Sequence, residues 1–159
     1  MKILLAVDGS TCSDAAVEAV AKRPWPEKSE LKVINVAEPP ILMGMEPWIA
    51  SPQYFGTLER SIRETALRVL ETAVAKLKTS KFNSLQVSSQ MIQGSPAQMI
   101  VEEAERWGAD LIVMGSRGLG AWSRLLLGSV SNSVVHHAKC SVEIIRGCNG
   151  QPPPVAGPN

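Results

Sequence analysis

The chain has 159 residues, of which 45% are hydrophobic and 19% are charged, and its formal net charge is +1 at pH 7. This length predicts a single domain with its own core, and the composition excludes a wholly disordered protein. The near-neutral charge argues against a nucleic acid partner, because proteins built to bind the phosphate backbone usually carry a basic surplus. No apolar run approaches the roughly 20 residues that span a bilayer, so no membrane association is expected.

The N-terminus and the cysteines indicate a cellular compartment. Residues 3–7 are apolar but meet Asp8 at once, which favours a strand over a signal peptide. Cys12, Cys140 and Cys148 are odd in number and have no Cys-x-x-Cys spacing. This pattern favours reduced thiols over a disulfide framework or a zinc site, and we expect a cytoplasmic protein.

Short runs rich in Val, Ile and Leu alternate along the chain with longer segments of helical spacing. The short runs predict five strands, at residues 3–7, 31–36, 85–92, 111–114 and 142–145. Most of them are nearly continuous in apolar residues, which is typical of strands covered on both faces. Apolar residues three and four apart predict helices at about 13–22, 58–77, 97–107 and 129–138. The alternating order predicts an α/β protein with an open parallel sheet and helices on both faces.

The third predicted helix has the clearest end signals. Ser95 is a candidate N-cap, Pro96 fits the first helical position, and Gln98 completes an S-x-x-Q capping box. Gly108 predicts a left-handed stop. The carboxylates of this helix, at positions 102, 103 and 105, are expected on its solvent face.

Two stretches fit no predicted element. Residues 38–56 contain four prolines and three aromatic residues, and so long a loop is either a surface excursion packed back on the domain or a lid or docking surface. Residues 147–159 are rich in Pro and Gly and predict a disordered tail. The domain is therefore expected to span residues 1–146.

The residues that follow the strands are the first place to look for a site, because ligands of open parallel sheets bind beyond the carboxyl ends of the strands. The segment from Gly115 to Ser129 follows the fourth predicted strand and leads into a helix. Its glycines allow positive φ and close approach to a ligand, and the helix start offers N–H groups to an anion. Arg117 and Arg124, with the hydroxyls of Ser129 and Ser131, would suit a phosphate chain. The alternative is that the glycines only end a strand and cap a helix.

No Walker motif is present, and Gly118-x-Gly120 does not extend to a dinucleotide fingerprint because residue 123 is serine. The pattern that does occur is Gly-x-x-Gly, nine residues, then Gly-Ser, formed by Gly115, Gly118, Gly128 and Ser129. Together with ILLAVDGS (residues 3–10), GSPAQMIVEEAERWGADLIVMGSRG (94–118) and GSVSNSVVHHAKCSVEIIR (128–146), this pattern resembles the nucleotide-binding subgroup of the universal stress protein family over about residues 1–146.

The resemblance implies a Rossmann-like, adenine-nucleotide alpha-hydrolase-like sheet of order 3-2-1-4-5, a dimer, and ATP with Mg²⁺ held across strands 1 and 4. It implies roles near the ribose for Asp8, near the adenine for Ala6, Val7 and Val36, at the end of strand 4 for Met114 and Gly115, and around the phosphates for Arg117, Gly118, Gly128, Ser129, Val130 and Ser131. The family often has proline where this chain has Ser141, at the entry to the strand at 142–145 that relatives commonly use to dimerise.

Three functions follow as hypotheses. The first is an ATP-dependent dimeric sensor or adaptor in a stress response, with no catalytic residue and no protein-bound metal. The second is a slow ATPase or a phosphoryl or adenylyl transferase, against which we see no evident catalytic base and no second carboxylate beside Asp8. The third is a nucleotide-free dimeric scaffold. His136 and His137 do not suggest a metal site, since adjacent helical side chains point about 100° apart.

Overall fold

The computed structural model describes residues 1–39, 52–79, 85–119 and 127–146. The strands of this part are β1 (Lys2–Ala6), β2 (Glu30–Ala37), β3 (Gln86–Gln93), β4 (Leu111–Gly115) and β5 (Ser141–Ile145). The helices are α1 (Thr11–Lys22), α2 (Pro52–Lys78), α3 (Pro96–Trp107) and α4 (Ser129–His137).

The strands form one parallel sheet in the order β3-β2-β1-β4-β5, which confirms the predicted fold class and strand order. Leu5 at the centre of β1 lies opposite Val33 on one side and Val113 on the other. The chain leaves β1 toward β2 and later returns on the other side of β1 with β4. The order therefore reverses at β1, and a crevice opens between the loops that follow β1 and β4.

Alternate residues of the central strands supply two cores, one on each face of the sheet. Leu5 and Val33 pack with α1 and α2, whereas Leu4, Ile34 and Ile112 pack with α3 and α4. This explains the nearly continuous apolar sequence of the central strands. The prediction of two covered faces is wrong for β3, an edge strand in which most positions are exposed and polar.

Helix α2 begins earlier than its periodicity suggests. It starts at Pro52, so residues 52–56 of the predicted loop are helical, and residues 40–51 lie outside the described part of the chain, as does the predicted tail. Proline is tolerated there because the first N–H of a helix needs no intrahelical partner. Neither α2 nor any other helix in the described ranges is long and apolar enough to cross a membrane.

The end signals of α3 are only partly confirmed. Gly108 ends the helix in the left-handed conformation, with φ of 70°. Ser95 occupies the N-cap position, but its side chain makes no capping bond, so the predicted capping box is wrong. The Gln98 side chain instead donates to Glu102, four residues along the helix, at 2.7 Å.

Glu103 does not lie on the solvent face, contrary to expectation. It is only 4% exposed and accepts hydrogen bonds from Lys32 of β2 at 2.9 Å and from Arg106. Burial by itself would raise the pKa of Glu103, but the hydrogen bonds from the two cations outweigh it and hold the pKa below its ordinary value. The Lys32 ammonium also lies 4.7 Å from the centre of the Trp107 ring.

The cysteines differ from one another. Cys140 is a free thiol whose pKa is raised by burial. Cys12 is buried at the start of α1 and is disulfide-bonded, so the expectation of reduced thiols is wrong at this position.

Candidate functional site: a cavity at the carboxyl edge of the sheet

A cavity of about 680 Å³ opens at the carboxyl ends of β1, β2 and β4. Its volume falls within the range of roughly 300–1,000 Å³ usual for ligand pockets. Helix α2 and the N-termini of α3 and α4 form its walls. Twelve of the residues proposed for a site from the sequence line this one cavity: Ala6, Val7, Asp8, Val36, Met114, Gly115, Arg117, Gly118, Gly128, Ser129, Val130 and Ser131. Arg124, which was also proposed, lies outside the described residues.

Sequence reasoning missed the wall that α2 contributes. Ile62, Ala66 and Val69 line the cavity, although they belong to the apolar stripe that was interpreted as facing a core. The stripe faces the core further along α2, at Leu70 and Leu77, and lines the cavity nearer the helix start. The sequence signal for this wall was the length of the apolar stripe on α2, which is longer than the strands that it could cover.

Asp8 ties together two loops at the mouth of the crevice. Its Oδ1 accepts the backbone N–H of Ser10 at 3.0 Å, and its Oδ2 accepts the backbone N–H of Leu119 at 3.2 Å. The Ser10 hydroxyl donates to the carbonyl of Arg117 at 3.2 Å, which adds a second tie between the same loops. Ser10 also caps α1 by accepting the N–H of Ser13 at 3.2 Å.

The glycines that follow β4 are explained by close approach and not by positive φ. None of Gly115, Gly118 and Gly128 has positive φ, so that part of the prediction is wrong. A Cβ on Gly115 would lie 2.6 Å from the backbone carbonyl carbon of Cys12, and a Cβ on Gly118 would lie 2.6 Å from Oδ2 of Asp8. Gly115 therefore lets the end of β4 sit directly against the start of α1, and Gly118 lets the loop that follows approach Asp8.

The start of α4 presents N–H groups to the cavity. Gly128 is the N-cap of α4 and, because it has no side chain, makes no side-chain capping bond. Ser131 is buried and its hydroxyl donates to the carbonyls of Ser116 and Gly128, both at 3.0 Å, so it holds the loop and does not serve as the free donor that was expected. Ser129 is exposed, and it lines the cavity at the positive end of the helix.

The described lining carries little net charge. Two carboxylates, Asp8 and Glu38, and one guanidinium, Arg117, contribute to it. Glu38 is the second carboxylate that the sequence did not reveal. Within the described ranges no group of three His, Cys, Asp or Glu residues could hold a metal ion. An anion here would rely on Arg117 and on backbone N–H groups at the start of α4.

Known proteins provide an independent comparison. The chain matches the universal stress protein family over residues 1–146. It is 35% identical to a universal stress protein of Thermus aquaticus, with 91% of this chain and 97% of the relative covered. It is 29% identical to the universal stress protein YxiE of Bacillus subtilis, with coverage of 91% and 98%.

Solved structures of similar fold agree with this family match. Hypothetical protein MJ0577 superposes with a TM-score of 0.78 at 26% identity and coverage of 94% and 97%. A universal stress protein from Arabidopsis thaliana, solved with AMP bound, superposes with a TM-score of 0.67 at 25% identity and coverage of 97% of each chain. The chain belongs to the universal stress protein family.

Proposed function

We propose that this protein binds ATP in the cavity at the carboxyl edge of the sheet and acts as a nucleotide-dependent dimeric sensor or adaptor. The observation that carries the proposal is the convergence, in one cavity, of an apolar pocket and the N-terminus of α4. An apolar pocket suits a flat base, and helix N–H groups suit phosphates. The AMP bound by the Arabidopsis relative supports a nucleotide as the ligand.

The difference between the two sides of the cavity supports one direction for the nucleotide. Val36 of β2 and Ala66 of α2 line one side, whereas Arg117 and Ser129 line the other. Strands β2 and β4 are separated by β1, which places their ends about 9–10 Å apart at the usual strand spacing. We assign the base to the β2 side and the phosphates to the α4 side.

Mg²⁺ fits this site only as a partner of the nucleotide. Mg²⁺ commonly takes one or two carboxylates and fills the rest of its octahedron with water and phosphate oxygens. Glu38 is an exposed carboxylate of the lining, while both oxygens of Asp8 already accept backbone N–H groups. The metal would neutralise phosphate charge beyond what Arg117, the one arginine among the described lining residues, can balance.

The dimer is proposed to form through the outer edge of β5, with which no strand in the described ranges pairs. Glu143 of this strand is held to Arg23 by two hydrogen bonds of 2.7 and 2.6 Å, which fixes the strand against the end of α1. Because the carbonyl of Ile145 points to β4, the backbone groups of Val142 and Ile144 point away from it. An edge with unpaired backbone groups favours pairing with another strand. ATP would regulate the protein by binding one loop arrangement or one dimer better than another.

The first experiment identifies the resident ligand. The protein is purified without added nucleotide and denatured, and the released small molecules are identified by chromatography and mass spectrometry. The variants Arg117→Ala and Arg63→Ala are treated in the same way. Each removes one positive charge, but Arg63 is exposed on α2 and does not line the cavity. We expect ATP from the wild type and from Arg63→Ala, and a several-fold loss of it from Arg117→Ala.

Other outcomes point to other functions. An empty protein whose melting temperature ignores millimolar ATP with Mg²⁺ would contradict the proposal and favour the scaffold. Release of ADP together with steady turnover above buffer would favour an ATPase. Asp8→Asn is a poor probe of that alternative, because the amide oxygen can replace only one of the two carboxylate oxygens that accept N–H groups, and the amide nitrogen would face the other N–H as a second donor. A loss of turnover in that variant would reflect the displaced loop as well as any chemistry.

A further inference from the structure

A buried amide at the end of β2 offers an acceptor to the cavity. Asn35 is only 7% exposed, and it lines the cavity beside Val36 and Ala37. Its Nδ2 donates to the backbone carbonyl of Val7 at 2.8 Å. A carbonyl can only accept, so this bond also fixes which end of the amide is nitrogen.

The remaining oxygen of Asn35 must be accessible from the cavity. No hydrogen bond to its Oδ1 comes from any described residue. In the described part of the chain no fully buried side-chain nitrogen or oxygen lacks a partner, so Oδ1 is not fully buried. Because the residue is otherwise enclosed and lies in the cavity lining, the opening through which Oδ1 is reached is the cavity.

We propose that Asn35 determines base specificity by accepting a hydrogen bond from the amino group at C6 of adenine. This inference rests on the proposed nucleotide site and on the placement of the base at the β2 side. Adenine presents a hydrogen-bond donor at C6, whereas hypoxanthine and guanine present a keto oxygen there. That oxygen and Oδ1 of Asn35 are both acceptors, so no hydrogen bond could form between them. A nearly buried acceptor left without a partner is costly, so the site rejects a 6-keto purine.

The test compares ATP with inosine triphosphate, which differs from it by the amino-to-keto exchange at C6. Dissociation constants for both nucleotides with Mg²⁺ are measured by calorimetry for the wild type, Asn35→Leu and Asn35→Asp. The ratio of the two constants cancels any general loss of affinity. Gln90→Leu is the control, because it removes an amide from the neighbouring strand β3 at a position outside the cavity lining.

The wild type and Gln90→Leu are expected to prefer ATP about tenfold, the scale of one well-placed hydrogen bond. Asn35→Leu is expected to bind both nucleotides within about twofold of each other by the same reasoning. Asn35→Asp keeps the acceptor but sets its second oxygen against the carbonyl of Val7, so it should bind both nucleotides more weakly while keeping the preference for ATP. If Asn35→Leu does not fold, Asn35→Ser removes the amide oxygen with a smaller side chain.

Three results would overturn the inference. The first is an ATP preference in Asn35→Leu equal to that of the wild type. The second is a wild type that binds both nucleotides alike. The third is a loss of discrimination against 2′-deoxy-ATP or 3′-deoxy-ATP in Asn35→Leu, which would place the acceptor at the sugar. Absence of any ATP binding to the wild type would instead refute the proposed function itself.

Discussion

Replacing Gly115 by alanine tests how the loop after β4 is seated. The added Cβ would lie 2.6 Å from the carbonyl carbon of Cys12, 2.8 Å from its oxygen and 2.8 Å from the nitrogen of Ser13. Carbon atoms in contact prefer about 3.5–4.0 Å, so the overlap approaches an ångström. All three neighbours are backbone atoms, and no side-chain rotation can relieve it. The start of α1 would have to move relative to β4.

The magnitude follows from the cost of overpacking. Such insertions typically cost about 1–3 kcal/mol, which lowers the melting temperature of a domain of this size by about 2–12 °C. Gly56→Ala is the matched control, since its Cβ would meet nothing within 4 Å and the residue lies within α2. Alanine in place of a helical glycine stabilises by about 0.5–1 kcal/mol. The two identical substitutions should therefore move stability in opposite directions.

The assay is thermal unfolding of the nucleotide-free variants, followed by far-ultraviolet circular dichroism. We expect Gly115→Ala to melt below the wild type and Gly56→Ala slightly above it. Equal melting temperatures for Gly115→Ala and the wild type would refute the close contact between the loop and α1. A parallel fall in both variants would mean that the loss in Gly115→Ala does not come from the close contact with α1.

Three further predictions concern the loop, the buried ion pair and the sheet edge. Gly118→Ala should leave the melting temperature nearly unchanged but weaken ATP binding several-fold, because its Cβ displaces the end of the half-buried Asp8 side chain and not backbone. Unchanged affinity in a titration would contradict this. Glu103→Gln should lower the free energy of unfolding at pH 7 by up to about 3–5 kcal/mol, since it leaves Lys32 without a countercharge. The pKa of Glu103 is lower in the folded protein than its ordinary value of 4.5, so the stability that the ion pair contributes is present above that value and is lost as the pH falls through the lower folded pKa. The unfolding free energies of the variant and the wild type, measured by denaturant titration, should therefore converge in acid. A difference that stays constant with pH would count against the ion pair. Ile144→Pro removes an N–H that points away from β4 and should yield a folded monomer in sedimentation, whereas a persistent dimer would rule out pairing through β5.

The fold followed from sequence where burial was strong and the chemistry local. The continuous apolar runs at β1 and β4 and the glycine at position 108 each have one simple structural explanation. The same reasoning overstated the coverage of β3, whose Gln and Ser residues occupy five of its eight positions and are exposed at the sheet edge. The start of α2 was missed because the many prolines nearby suggested a loop, although one proline sits at a helix start.

The sequence predicted which residues belong to the site but not the contacts that they make. Asp8 was recognised, but its bond to the backbone of Leu119 joins positions 111 residues apart, and no local pattern encodes it. Glu103 looked like a solvated helix charge because its partner Lys32 comes from a distant strand. Asn35 escaped notice because a single amide within an apolar strand shows neither its donor nor its free acceptor until the neighbouring strand is in place.

We have proposed that the phosphates of ATP lie at the start of α4. A substitution at Ser129 tests this placement directly, because this residue begins the helix and lines the cavity. Ser129 is the exposed first residue of this helix. A glutamate there favours the helix by about 0.3–1 kcal/mol through its dipole, yet it would repel a bound phosphate. The affinities of Ser129→Glu and Ser129→Gln for ATP with Mg²⁺ are measured by calorimetry. Glutamate and glutamine have nearly the same shape, so the difference in affinity reports the effect of the negative charge alone. We expect one ATP per chain and binding at least about tenfold weaker for Ser129→Glu than for Ser129→Gln, with Ser129→Glu at least as heat-stable. Equal affinity in the two variants would contradict this placement.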